Sequence, residues 1–411
     1  MMRVAAVLLV AAGLLVVPAP MAFAVCQPPP AAGQPIPAAA GRDPMIDRLG
    51  LPRVKDLSTG AGVTVAVVDS GVDSRHPKLA PAVVPGVDVA AVNDPRVAAD
   101  SPGTAEDCQN HGTMVAGLIA ARPLDDDRVV GVAPDAKIAP IRMVGTISDL
   151  PDKVIAQAIH DGADRGSVLN LSFALPVDRP SIRDAVQYAL SRDVVVVAAA
   201  GNEQQSQPGQ TWYPAAYPGV LAVAAVDVNG APIAQSNQGP WVGIAAPGSD
   251  LTSTAAGGSG YITQSGTSFA TAIVSGVAAL VRSRFPGLSG PAVVQRLINT
   301  AVPVAGSRDD KVGAGVVDPF AALTAPVIAP STSDRPVGTV AVLPRPAEDE
   351  GFGPVLRTAL AWAGGLALAG LLALVGGIAF RRAALRRWRP GGRDDVRSMP
   401  QTPEPTEVEL L

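Results

Sequence analysis

The chain is poor in histidine, cysteine and net charge, and each shortage removes a class of explanation. Its 411 residues carry 32 Lys and Arg against 36 Asp and Glu, a formal net charge of −4. So balanced a chain offers no basic footprint, and nucleic acid is not an expected partner. Three histidines (His76, His111 and His160) leave few candidates for any histidine-dependent chemistry. Two cysteines, Cys26 and Cys108, permit at most one internal disulfide. No internal repeat is visible. The length fits one large domain or two ordinary ones once targeting segments are set aside.

Both ends carry the signs of membrane targeting. Arg3 precedes an uncharged apolar run, Val4 to Val17, and Ala22-Phe23-Ala24 offers a small-x-small cleavage site. Residues 1–24 therefore read as a signal peptide, because the run is too short for the ~20 residues that span a bilayer. An uncleaved anchor is the alternative. Near the other end, residues 355–380 read as a transmembrane helix, with no charge from Thr358 to Phe380. Those uncharged residues would rise about 34 Å as a helix, enough to cross the hydrocarbon core. Glu348, Asp349 and Glu350 precede the span, while Arg381, Arg382, Arg386, Arg387 and Arg389 follow it. The basic side belongs in the cytoplasm, which leaves 381–411 as a cytoplasmic tail and exports everything between the signal and the span. Membrane lipid is thus an expected partner. On the exported side an oxidising compartment favours a Cys26–Cys108 disulfide, worth about 4 kcal/mol for a loop of about 80 residues. Lipidation of Cys26 is the rival reading, and the bulky Val25 before it disfavours that chemistry.

Residues 25–60 form an arm that opens with five prolines, then looks helix-capable from Ile46 to Leu49. Repeated proline favours extended chain, so the arm should lie over the domain. Over 61–324 buried-strand and helical patterns alternate. Val63 to Val68, Ser167 to Ser172 and Val194 to Ala198 are near-continuous apolar runs, as in strands buried on both faces of a parallel sheet. Leu150 to Ala163 and Ser181 to Ser191 have helical period. The expected class is α/β with a mostly parallel sheet. Residues 325–354, with six prolines, read as a linker.

Three segments put reactive side chains at strand or helix ends. Asp69, in Val68-Asp69-Ser70-Gly71, closes a buried strand, where ligand sites of α/β sheets form. His111, in Asn110-His111-Gly112-Thr113, opens a helix of small residues, and a helix N-terminus disfavours the imidazolium, keeping the ring available as a base. His76 reads as a loop residue, and His160, near Ile155 and Ile159, as structural. Ser268, in Gly266-Thr267-Ser268-Phe269, begins a second small-residue helix whose free amides favour developing negative charge. Taken singly, Asp69 is a weak signal because many strands end in a turn aspartate, and an N-cap serine is an equally good reading of Ser268. Asp125-Asp126-Asp127 reads as a solvated acidic turn rather than a metal site, and no metal or cofactor is expected.

Together the three segments resemble the active-site signatures of the subtilisin family, in that family's order Asp, His, Ser. Ala199-Ala200-Gly201-Asn202, Tyr213-Pro214-Ala215, Val223 to Asp227 and Ala246-Pro247-Gly248 extend the likeness across roughly 60–320. The resemblance implies a serine endopeptidase with a three-layer α/β fold and a peptide or protein substrate. Ser268 would be the nucleophile, His111 the base and Asp69 its orienting carboxylate, with Asn202 in the oxyanion hole. Ser172, Phe173, Ala174, Ala200 and Gly201 would line the substrate edge. This sequence departs at Ala272, where the family usually has proline, and at Phe173-Ala174-Leu175, where Leu-Gly-Gly is usual. Side chains in place of those glycines should narrow the cleft and favour selective cleavage.

The order of segments, together with Phe269 after the serine, is similar to the mycosins, membrane proteases of type VII secretion systems. That likeness implies a single-pass membrane protein with its protease domain outside the cytoplasm and a secretion membrane complex as partner. A role mainly as a structural cap or scaffold of the channel, with weak proteolysis, is one alternative left open, and another membrane-anchored subtilisin-like protease is the other.

Overall fold

The computed structural model describes residues 33–36, 41–89, 106–107, 109–124, 128–143, 147–304, 306–326 and 376–382. The predicted signal peptide, Cys26, Cys108 and Asp125 to Asp127 lie outside the described residues, as do nearly all of the linker, the transmembrane span and the tail. Two units are distinguished, 1–327 and 328–411, and in the second 376–382 are helical. No helix among the described residues is long and apolar enough to cross a membrane.

The apolar runs become strands of one seven-stranded parallel sheet. In chain order these are β1 (Thr64–Asp69), β2 (Val87–Asp88), β3 (Lys137–Arg142), β4 (Val168–Leu171), β5 (Val195–Ala199), β6 (Leu221–Val226) and β7 (Ile244–Pro247). Their spatial order is β2-β3-β1-β4-β5-β6-β7. A separate antiparallel pair joins β8 (Leu251–Thr254) to β9 (Tyr261–Gln264).

Strand alternation explains why the runs are apolar throughout. Val65 and Val67 enter one core, while Ala66 and Val68 enter another on the opposite face. Val195 and Val197 divide from Val196 and Ala198 in the same way. Helices cover both faces, so each strand residue leaves water whichever way it points, at roughly 1.5–3 kcal/mol for a large aliphatic side chain.

On the first face lie α3 (His111–Ala120) and α6 (Thr267–Arg284); on the second, α4 (Asp152–Arg165) and α5 (Pro180–Ser191). Every residue of α6 from Thr267 to Val281 is buried. Its Ala, Ser, Thr and Gly content suits a helix packed at once on α3 and on five strands, β1 and β4 to β7.

Two short helices in the arm, α1 (Pro44–Arg48) and α2 (Leu51–Val54), add Met45, Ile46, Leu49, Leu51 and Val54 to the first core. Asp43 fastens this piece: Oδ1 accepts the Met45 amide at 2.8 Å, and Oδ2 accepts the Thr252 amide of β8 at 3.0 Å. Further upstream, Gln34 exchanges two backbone hydrogen bonds with Tyr261 of β9. The domain ends with α7 (Gly290–Asn299) and α8 (Pro319–Thr324).

Candidate functional site

The switch in chain direction across the sheet sets where a site can form. From β1 the chain builds β2 and β3 on one side, then crosses to β4 on the other. The carboxyl end of β1 is such a switch point, and Asp69 is its last residue. His111 is brought there by close approach of α3. A Cβ on Gly112 would fall on the Gly71 carbonyl oxygen, so the helix terminus can sit against the β1 turn only without a side chain there. Asn110, with φ 66°, turns the chain into the helix, and its side-chain oxygen accepts the Ala256 amide at 2.6 Å.

His111 Nδ1 and Asp69 Oδ1 are 2.7 Å apart. The same carboxylate oxygen accepts the Ser70 amide at 2.7 Å. The side chains of Asp69 and His111 are 5% and 30% exposed, so the aspartate is shielded while the imidazole keeps an open edge. The Phe269 ring lies 5.4 Å from the imidazole. Burial pulls the imidazole pKa down, but the Asp69 charge, its hydrogen bond and the Asp107 charge outweigh this and raise it.

Ser268 is the second residue of α6 and is 8% exposed. Its Oγ donates to the Ser172 carbonyl at 3.2 Å rather than to His111. Ser172 Oγ donates to Asn170 Oδ1 at 2.8 Å, and Asn170 Nδ2 donates to Ser275 Oγ at 3.0 Å. A buried polar ladder thus ties the end of β4 to the serine helix.

The segment after β5 reaches the same place. Gly201 has φ 95°, and a Cβ there would strike the side chains of Asn237 and Glu203. Its amide donates to Thr267 Oγ1 at 3.1 Å. Asn202 Oδ1 accepts the Thr267 amide at 2.9 Å, while the Asn202 amide donates to Glu203 Oε2 at 2.7 Å. Asn237 holds Glu203 in turn, through Oδ1 to the Glu203 amide (2.9 Å) and Nδ2 to Oε2 (2.8 Å).

A cleft of 310 Å³ opens beside Asp69 and His111, walled by Met143, Ile147, Leu150, Ser172 and Phe173. A larger cavity of 580 Å³ lies between α1, α2 and α8 and holds none of the site residues. Strand-like alternation corrects the expected narrowing of the cleft. Leu175 is 1% exposed and joins the second core, so of the two positions where glycine is usual only Ala174 can bear on the cleft, while Phe173 walls it.

Comparison with known proteins decides the family. Residues 60–322 match the subtilase family. Mycosin-1 of Mycobacterium tuberculosis (strain ATCC 25618 / H37Rv) is 35% identical over 371 residues, covering 72% of this chain and 80% of that protein. The chain belongs to the subtilases, among the mycosins. Two solved structures agree with this. The MycP3 protease from the type VII (ESX-3) secretion system is 36% identical, with a TM-score of 0.60 over 73% of this chain and 97% of its own. A chain of the intact ESX-5 inner membrane complex is 32% identical, with a TM-score of 0.61 over 86% of this chain and 93% of its own.

As a subtilase the protein is a subtilisin-like serine protease, and its site contains residues that the sequence motifs did not reveal. Asp107 is 3% exposed and accepts hydrogen bonds from Ser70 Oγ (2.8 Å), the Gln109 amide (2.9 Å) and the Thr113 amide (2.8 Å). An acidic residue four positions before the histidine was the available signal, and nothing in the spacing gave it a role. Glu203 and Asn237 were missed because their clasp joins segments 34 residues apart. Among the described residues no group of three or more His, Cys, Asp and Glu is placed to hold a metal ion.

Proposed function

We propose that the chain is an endopeptidase whose triad is Asp69, His111 and Ser268, with Asn202 in the oxyanion hole. The observation that carries this is the 2.7 Å Asp69–His111 pair at the mouth of a cleft that Ser172 also lines. Asp69 holds the tautomer with hydrogen on Nδ1, which leaves Nε2 free to take a proton from Ser268. Ser268 Oγ attacks the peptide carbonyl, and the new imidazolium is stabilised by Asp69 and returns its proton to the leaving amine. Water then releases the acyl group by the same route in reverse. The Ser268 amide lies in the first turn of α6, where amides have no intrahelical acceptor, and with Asn202 Nδ2 it faces the developing oxyanion. The resting Ser268–Ser172 bond is a parked rotamer, broken when substrate draws the hydroxyl toward His111. Ser172, Phe173 and Ala174 with Ala200 and Gly201 form the two edges between which an extended peptide pairs.

Membership among the mycosins, and likeness to a chain of the ESX-5 inner membrane complex, support a place in a type VII secretion membrane complex. The protease domain would stand outside the cytoplasm behind a cleaved signal, held by the 355–380 helix, with Cys26 and Cys108 paired in that oxidising space. That likeness also favours a second, compatible reading in which the chain stabilises the assembly.

Labelling the full-length protein with a fluorophosphonate, beside Ser268→Ala, tests the catalytic reading. Labelling lost in the variant is expected; no labelling of the folded parent protein would sink it. Secretion that survives Ser268→Ala but not deletion of the chain would assign the main role to assembly.

A further inference from the structure

Behind the Asp69–His111 pair lies a second buried carboxylate, joined to the first by one hydroxyl group. Ser70 Oγ is 2.8 Å from Asp107 Oδ1 and 3.2 Å from Asp69 Oδ1, and it accepts the Gly112 amide at 3.0 Å. A hydroxyl has a single hydrogen to give, and the shorter contact assigns it to Asp107. We propose that Asp107 is a positioning residue for the Asp69–His111 pair, acting through the Ser70 hydroxyl that lies between the two carboxylates.

Asp69 has few donors. Its Oδ1 serves His111 and the Ser70 amide, and its buried Oδ2 has no hydrogen-bond partner. A charged Asp107 keeps the Ser70 hydrogen turned away, so the Asp69 charge is concentrated on His111. Without that acceptor, as in Asp107→Ala, the Ser70 hydrogen swings to Asp69 Oδ1. The Asp69–His111 bond then has a competitor. Asp107 has further anchors at the Gln109 and Thr113 amides, so its position is fixed by the turn that delivers His111. The two effects of Asp107 on His111, direct charge and the setting of Ser70, have the same sign.

The surroundings contain few rivals. Among the described residues, the charged groups on the elements around His111 are the Asp73–Arg75 pair after β1, Arg142 at the end of β3 with Asp88 at the end of β2, Glu106 beside Asp107, Asp149 in the turn before α4, and Glu203 clasped by Asn237. The Phe269 ring and the Met143, Ile147 and Leu150 side chains that wall the cleft carry no charge. Of all these groups, Asp107 alone shares a hydroxyl with Asp69.

This inference rests on His111 being the base for Ser268, and its test separates the two. The full-length protein, Asp107→Ala, Ser70→Ala and the double variant are compared by their fluorophosphonate labelling rate as a function of pH. Asp107→Ala is expected to move the acid midpoint down by roughly half a pH unit. In the Ser70→Ala background the same change should move it less than half as far. Equal shifts in the two backgrounds would reduce Asp107 to a distant charge, and no shift would reduce it to a loop cap; either overturns the proposal. Asp107→Ser, which keeps an acceptor for the Thr113 amide, takes the place of Asp107→Ala if that variant does not fold. Nitrogen NMR of the three histidines in Ser268→Ala reads the His111 midpoint without chemistry. Shifts seen there without labelling in the parent protein would sink the catalytic reading and keep the role of Asp107.

Discussion

The side-chain oxygen of Asn202 accepts the Thr267 amide at 2.9 Å, and this one bond decides which end of the Asn202 amide faces the cleft. An NH2 group cannot accept a hydrogen bond, so Nδ2 is turned away from Thr267 and left to donate. Asn202→Ala should therefore lower kcat by about 10²–10³ with little change in KM, a magnitude taken from a subtilase relative. Steady-state kinetics on a peptide substrate checks it. A loss confined to KM would mean that Asn202 binds substrate rather than the transition state.

The proton on His111 should follow Asp69. The imidazole must be neutral to act, and its pKa is raised above the ordinary 6.5, so the acid limb of kcat/KM should lie above that value. Asp69→Asn removes the attraction and leaves burial, which pulls the other way. Residual activity should drop by about 10⁴, and its acid limb should move to lower pH. A full pH profile of both proteins measures this, and an unmoved limb would count against the pairing.

His76 has the opposite linkage. Its Nδ1 accepts the Lys78 amide at 3.2 Å, so Nε2 carries the hydrogen and donates to the Gly260 carbonyl at 3.1 Å. Burial holds this imidazole below 6.5, although Asp73 nearby opposes the effect. The unfolded chain then binds the extra proton, and stability falls as pH drops from about 6.5 toward the lowered native value. His111, with a raised pKa, contributes in the other direction. His76→Asn should flatten the fall in urea midpoint between about pH 7 and pH 5 relative to the parent protein.

Asp43 joins the arm to β8 through two amides, and burial raises its carboxyl pKa although both hydrogen bonds oppose this. Asp43→Ala should cost about 1–3 kcal/mol of stability by thermal unfolding, with activity per folded molecule unchanged. Asp43→Asn should cost less, because it retains one acceptor and removes a penalised charge. Equal costs would mean that the charge itself is needed.

The sheet and the segments of the proposed site were legible because their signals are local. Runs such as Val194 to Ala198 are apolar at every position, which only strands buried on both faces require. The motifs around Asp69, His111 and Ser268 lie within a few residues of each reactive atom. What escaped depends on partners far along the chain. Leu175 looked like an obstruction in the cleft, yet its pairing with Tyr213 turns the side chain into the core. His76 looked like an ordinary loop residue, yet contact with Gly260 and Tyr261 makes it almost fully buried. Asp107 carries no motif of its own, and its meaning comes from Ser70, 37 positions earlier.

The two backbone bonds between Gln34 and Tyr261 have a consequence for how the molecule meets its neighbours. A strand edge with unpaired amides and carbonyls is a template on which another chain can add, and it is a common starting point for aggregation. Here residues of the same chain occupy that edge at Tyr261 before any other molecule can. A form truncated before residue 41 would keep Asp43 and its fastening to β8, yet present β9 to its surroundings as a place for a foreign strand to attach.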